Sequence, residues 1–193
     1  MQKAKHRFTR ALVRAVALML AVGGVTGFDL TRHVVPLDQI LDGGPPKDGI
    51  PAILHPSFVS AGRAAFLTPR DLVIGVVVHD HAWAYPVKIL NWHEVVDDSA
   101  AGESFAVTFC PLTQSAIVYD RTLGNTQLTL AVSGKLYESN LLFYDKSSES
   151  LWSQIEGEAV AGPLAGQRLA PLPSVVTTWA ALHADTVIWT GTR

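Results

Sequence analysis

The sequence predicts a mainly β domain, a sandwich or barrel-like arrangement carrying one or two short helices, with an α+β fold as the alternative. Three observations predict it. Short β-rich runs recur along most of the chain, turn residues separate them, and helical periodicity is confined to a few brief stretches. No internal repeat, low-complexity tract or linker divides the 193 residues, a length that suits one domain with a sizeable core.

The N-terminus stands apart from that domain. Residues 1–14 carry Lys3, Lys5, Arg7, Arg10 and Arg14 and no acid, and an apolar run from Ala15 to Val25 follows. A basic head, a short apolar run and small residues at its end form the pattern of a secretory signal peptide. Residues 1–27 are therefore read as a signal peptide or N-terminal anchor, and 28–193 as a single domain. The run is shorter than the roughly 20 residues a membrane-spanning helix needs. The expected location is extracytoplasmic, periplasmic or secreted, with membrane attachment only through an uncleaved N-terminus.

Charge then narrows the partners. All 17 acidic residues lie at Asp29 or beyond, whereas five of the 15 basic residues precede it; ten bases against 17 acids leave a net charge of −7. An acidic domain without a basic stripe excludes nucleic acid as the expected partner and leaves a small molecule or a metal ion. The one cysteine, Cys110, has no second cysteine in the chain to pair with, so in an oxidising compartment it must be buried, metal-bound or used.

Taken in order, Asp29 to Pro56 is a leader rich in turn signals, expected to run over the surface as an ordered strap. Ser57–Ala65 reads as a short helix capped by Ser57. Leu72 to Val78 and Ala82 to Tyr85 read as strands around a hairpin tip at His79-Asp80-His81. The two histidines have the spacing of a metal clip, but their place at a tip favours a solvated turn. From Pro86 the pattern changes to helix, with Ile89, Trp92, His93 and Val96 on one stripe. That stripe carries His93 into the core. Strands follow at Ser104 to Phe109 and Ser115 to Tyr119, with Cys110-Pro111 breaking between them. Further strands are expected at Gln127–Val132, Leu141–Tyr144, Leu151–Ile155, Gln167–Leu172 and Thr186–Trp189. Turns are expected at Ser133-Gly134, Asp145–Ser148 and Gly162–Gly166, and Thr177 to His183 reads as a last short helix.

A core histidine and a loop thiol are the leading chemical pair. His93 and Cys110 together suit zinc or copper, with Glu94 as a further metal ligand. The chain has no methionine beyond Met1 and Met19, so the usual thioether ligand of exported copper carriers is missing and zinc stands beside copper. The same pair suits nucleophilic catalysis, with Cys110 attacking an acyl or peptide group, His93 as base and Arg121 stabilising an oxyanion. Against both stands a core histidine bonded to a carbonyl beside an inert buried cysteine. Asp97 and Asp98, at the end of the expected helix, are read as solvated acids unless they orient His93. Trp92, Tyr137, Asn140, Trp152 and Gln154 form a polar-aromatic set that suits a small-ligand wall or ordinary buried hydrogen bonding. A non-catalytic binding module is the third reading.

Several stretches resemble the DUF3179 family. They are Asn91-Trp92-His93-Glu94-Val95-Val96-Asp97-Asp98 with Cys110-Pro111-Leu112, and Gly43-Gly44-Pro45-Pro46-Lys47-Asp48-Gly49-Ile50-Pro51-Ala52. Ser133-Gly134 with Tyr137 and Ser139-Asn140-Leu141, Leu151-Trp152-Ser153-Gln154 and Ala161-Gly162-Pro163-Leu164 add to them. The resemblance runs from about Phe28 to the C-terminus and implies an extracytoplasmic bacterial or archaeal domain, without implying an activity. It also implies a second cysteine shortly after Cys110-Pro111-Leu112, where this chain has Thr113. A two-thiol metal site or a paired-cysteine redox centre is therefore unavailable here.

Overall fold

The computed structural model describes residues 27–182 and the backbone of 187–189. The expected signal segment lies outside the described residues, apart from Gly27. The chain is mainly β, with sixteen strands among the described residues. In order they are β1 (Leu41–Asp42), β2 (Phe58–Ser60), β3 (Leu72–Val78), β4 (His81–Pro86), β5 (Val95–Ala100), β6 (Glu103–Cys110), β7 (Ser115–Asp120) and β8 (Thr122–Leu123). Then come β9 (Thr126–Gln127), β10 (Leu130–Tyr137), β11 (Asn140–Asp145), β12 (Leu151–Ser153), β13 (Ala159–Ala161), β14 (Pro171–Leu172), β15 (Ser174–Thr178) and β16 (Val187–Trp189). The one α-helix among the described residues, α1 (Val87–Leu90), joins β4 to β5.

The strands form three main sheets, ordered β1-β10-β11-β12-β13, β14-β7-β6-β5 and β15-β3-β4-β16-β2, with β8-β9 as a small ribbon. The four-stranded sheet is the central layer. Its alternation sends Val96, Phe105, Val107, Phe109 and Val118 into one core with Ile74, Val76, Tyr85 and Leu90 of the β3–β4 sheet. The opposite face sends Val95, Ala106, Cys110 and Tyr119 into a second core with Leu130, Val132, Leu141, Phe143 and Trp152 of the β10–β11 sheet. Strands buried on both faces read as near-continuous apolar runs, and Phe105–Cys110 is apolar apart from the buried Thr108. The period of two therefore decides which core each side chain joins.

The expected helix from Pro86 to Val96 is much shorter than its pattern. It ends at Leu90, because Val95-Val96 are β-branched and pair with Thr108 and Val107 of β6. Trp92 consequently lies on the surface, 76% exposed, rather than in the core. Asp97 and Asp98 are buried strand residues on opposite faces of β5, not solvated acids at a helix end. The expected helix at Ser57–Ala65 is strand β2 followed by a single 3-10 turn, Ala61–Arg63. Thr177 to His183 likewise begins as the end of β15 and continues as a 3-10 turn, Trp179–Ala181, with His183 outside the described residues. The tip at His79-Asp80 is a turn as expected, both residues taking positive φ, and His79 Nε2 lies 3.0 Å from Glu103.

Ser133-Gly134 is not a turn between strands. It is a bulge inside β10, where the register against β11 shifts between Val132 and Lys135. The bulge receives the leader: Gly43 N–H donates to Gly134 O at 2.8 Å, and β1 pairs with β10 beside it. The leader is indeed an ordered strap. Asp48 N–H donates to Val132 O and the Asp48 carboxylate accepts from Tyr144 Oη at 2.7 Å. Lys47 pairs with Glu149 and sits 4.6 Å from the Tyr144 ring centroid. Further along, Ile53 bridges to Val96 in parallel, bonded through Ile53 N–H to Val95 O. The strap thus crosses from the outer sheet to the end of the central one.

Candidate functional site

The Cys110 loop is a tight hairpin. Cys110 and Ser115 are directly opposed across β6 and β7, and Pro111–Gln114 form the turn. Gln114 takes a positive φ of 56°, and its side-chain amide donates to Pro111 O at 2.6 Å. Behind the loop lies a polar chain: Asn140 Nδ2 donates to Thr113 Oγ1 at 2.8 Å and to Ser115 Oγ at 3.1 Å. Ser115 Oγ donates to Gln154 Oε1 at 2.8 Å, and Gln154 Nε2 donates to Thr108 Oγ1 at 3.2 Å. Thr113, standing where relatives are expected to carry a second thiol, is thus built into the network that fixes the loop. Such a partly buried network holds the loop against the strands behind it.

Cys110 itself is 1% exposed, and it forms part of the wall of a cavity of about 220 Å³. The cavity is walled mainly by apolar groups, among them Pro45, Ile50, Leu112, Leu136 and Leu141. Its polar lining comes from Asn91, Glu94, Lys135 and Cys110. The volume suits a small ligand, and a few polar groups on an apolar wall are the usual make-up of a binding site.

Glu94 is the unusual member. It closes the turn after α1 with its N–H donating to Leu90 O at 2.8 Å, and its φ is +58°. This is the left-handed position after a helix that glycine or asparagine normally takes, and a larger residue there costs about 1 kcal/mol of strain. The backbone is held in place from the other side, where Phe109 N–H donates to Glu94 O at 2.8 Å. Burial in this apolar setting pushes the Glu94 carboxyl up to about 7. Strained backbone and a carboxyl raised by burial, in the lining of the same cavity as a thiol, are features that cluster at functional sites.

The other sequence candidates fall elsewhere. His93 is half-buried and is not part of the cavity lining; its Nδ1 lies 2.8 Å from Pro51 O. Since a carbonyl only accepts, Nδ1 carries the proton, which in the neutral ring puts the lone pair on Nε2. Arg121 sits at the far end of β7 from Cys110. Its Nη1 donates to Leu128 O at 2.6 Å and lies 4.0 Å from Asp97, so it serves the inter-sheet polar contacts rather than an oxyanion at the thiol. Trp152 is fully buried and stacks on Phe143 at 6.4 Å, its Nε1 donating to Asp145. Asn140 and Gln154 are buried hydrogen-bonding groups behind the loop, and Tyr137 ends β10 beside the Glu138-Ser139 turn. Trp152, Asn140 and Gln154 thus take part in packing and buried hydrogen bonding, while Trp92 lies on the surface. Among the described residues, no group of three His, Cys, Asp or Glu stands together as a metal-binding set.

Sequence reasoning gave no role to Lys135, Asn91 or the strap residues Pro45 and Ile50. The available signal was their presence in or beside the stretches that carry the family resemblance, since Gly43–Ala52 and Ser133-Gly134 meet at the cavity rim.

The acids of β5 have consequences of their own. Asp97 accepts from Leu130 N–H at 2.8 Å through one oxygen, and the other oxygen is buried without a hydrogen-bond partner. Burial pushes its carboxyl up to about 7, against the pull of Leu130 N–H and Arg121. Asp98 accepts from Tyr85 Oη at 2.5 Å, and burial raises it too. The folded protein therefore keeps a proton on Asp97 that the unfolded chain loses near pH ~4. Stability is expected to fall as pH rises from about 4 to about 7, by about 3 kcal/mol for this residue. Asp97→Asn should flatten that slope while keeping the acceptor for Leu130, which urea midpoints at about pH 5 and about pH 8 would show.

No helix of the described residues is long and apolar enough to cross a membrane. Neither the curated proteins nor the solved structures compared with the chain gave a match. The family comparison did: the sequence model described as "Protein of unknown function (DUF3179)" matches residues 47–187. That span holds Glu94, Cys110 and the bulge at Gly134, and the chain belongs to the DUF3179 family.

Proposed function

We propose that this is an exported thiol enzyme that transfers or hydrolyses a small acyl group, with Cys110 as nucleophile and Glu94 as the proton-transfer group. The observation that carries the reading is that a desolvated carboxyl and the chain's one thiol share the lining of one small apolar cavity. Glu94 takes the thiol proton as the sulfur attacks the acyl carbon, and returns it to the leaving group as the carbon–leaving-group bond breaks. Water then attacks the thioester, Glu94 accepting its proton and the thiol leaving with it. An acid that titrates near 7 is matched to both directions of transfer. The expected role of His93 as base passes to Glu94, because Glu94 rather than His93 lines the cavity.

The test is the pH profile of Cys110 alkylation by iodoacetamide, followed by mass spectrometry. The wild-type rate is expected to climb through an inflection near pH 7 as Glu94 loses its proton. Glu94→Gln should remove that inflection and slow alkylation at pH ~7 by about tenfold or more. Identical profiles would dismiss Glu94 as the base.

A second reading keeps one specific support. The Nδ1 contact of His93 with Pro51 O is of the kind that orients metal-ligating histidines, which is compatible with a zinc or copper ion on His93 and Cys110 completed by water. Stoichiometric metal in protein purified from the periplasm, lost in Cys110→Ser, would establish it over the metal-free enzyme.

A further inference from the structure

The thiol is closed off from solvent. Cys110 is 1% exposed, and one wall of its cavity is the strap, through Gly43, Pro45 and Ile50. A second cavity of about 440 Å³ lies against the same stretch of strap, walled by Phe28, Leu30, Ile40 and Leu151 and by Gly44–Lys47. Pro45 lines both cavities.

The strap is gripped at two points and loose between them. Gly43 N–H donates to Gly134 O at 2.8 Å and Asp48 N–H donates to Val132 O at 3.0 Å, so β10 holds both ends of the crossing. Among the described residues, no backbone hydrogen bond ties Gly44–Lys47 to the sheet. Pro45 and Pro46 have no N–H to give, and the Gly44 N–H turns back to Asp42 Oδ1 at 3.1 Å.

Side chains hold this segment instead. The strap makes three ion pairs among the described residues, and all three lie in the segment or beside it. Asp42 pairs with Lys135 of β10 at 3.6 Å, Lys47 with Glu149, and Asp48 with Lys146 at 3.3 Å, the last two partners standing in the turn between β11 and β12. Tyr144 seats two of the pairs, its hydroxyl donating to Asp48 and its ring lying 4.6 Å from the Lys47 ammonium. Every charged member is partly exposed, from 29% for Lys47 to 74% for Asp42. Pairs of this kind are individually weak and are screened by salt.

We propose that Gly44–Lys47 is a flap over the Cys110 cavity, latched by these three pairs, and that its opening admits the ligand. Gly43 and Asp48 are the hinge points, and lifting Pro45 between them joins the two cavities into one cleft. Ionic strength sets the latch, because screening weakens the three pairs together and leaves the backbone bonds at the hinge points in place. The flap governs access to the cavity whether or not Cys110 is a nucleophile; the thiol serves here only as a reporter.

The experiment follows Cys110 alkylation by iodoacetamide, a neutral reagent, at one pH and at about 50 mM and about 1 M sodium chloride. Hydrogen exchange of the peptide spanning residues 43–49 is measured beside it. The wild-type thiol is expected to react at least about threefold faster at high salt, with faster exchange in that peptide. The triple variant Asp42→Asn, Glu149→Gln, Lys146→Met should react at the fast rate at both salt concentrations, its denaturation midpoint showing that it is folded. Glu149→Gln alone, a milder change, should give an intermediate salt effect. A wild-type thiol that is silent at both salt concentrations, or indifferent to salt, overturns the latch. A salt effect as large in the variants as in the wild type also overturns it, because other charges then carry the effect. Faster alkylation without faster exchange over residues 43–49 places the route to the thiol elsewhere and overturns the flap.

Discussion

Gly134→Ala is expected to destabilise the protein by about 3 kcal/mol or more, among the largest effects of any single substitution here. Two costs combine. Gly134 has φ +73°, a conformation an alanine holds only under strain, and a Cβ built there would stand 2.1 Å from Pro45 O. The carbonyl belongs to the strap, so relief requires the strap to lift from the bulge. That movement would break the Gly43 N–H bond to Gly134 O and open the Cys110 cavity along its Pro45 wall. The measurement is chemical denaturation combined with thiol titration. A lower midpoint together with faster Cys110 modification in the folded baseline is the expected result. A lower midpoint with an unchanged thiol rate would show that the strap does not wall the cavity.

Replacing Cys110 by serine is expected to lower turnover of a small activated ester by about three orders of magnitude, with little loss of stability. The change is nearly isosteric, but a hydroxyl is a far poorer nucleophile than a thiol beside a carboxylate that titrates near neutrality. Stability should change little because the cavity lies on one side of the residue and takes up the altered polarity. Initial rates with phenyl acetate at about pH 7.5, set beside the thermal midpoint, measure both quantities. Equal rates for the two proteins would remove Cys110 from the chemistry.

The sequence made the fold legible where period and burial agree. Leu72 to Val78 and Ser104 to Phe109 read as strands because each is a β-rich run bounded by turn or break signals, and both fall within strands of packed sheets. It misled where an apolar spacing fits two periods. Ile89, Trp92, His93 and Val96 match a helical stripe, yet Val96 belongs to a strand whose partner, Val107, is eleven residues away in sequence. Only that pairing distinguishes the two, and a single helical segment cannot reveal it. The same error displaced Asp97 and Asp98, which the helical reading left in solvent and β5 buries on opposite faces.

The site was legible in one of its halves. A lone cysteine before proline marks itself, and Cys110 does line a cavity. Its partner was not visible, because His93 and Glu94 are neighbours and the choice between them depends on the left-handed turn at Glu94. Lys135 was hidden for a similar reason. Its position depends on a two-residue bulge that reads, in sequence, as a turn.

The most direct test of the account is intact-mass spectrometry of the wild-type protein mixed with a slowly hydrolysing activated ester, followed by peptide mapping. One acyl group per chain on Cys110, absent in Cys110→Ser and slower to form in Glu94→Gln, is the predicted result. An unmodified Cys110 under conditions that acylate surface lysines would contradict it.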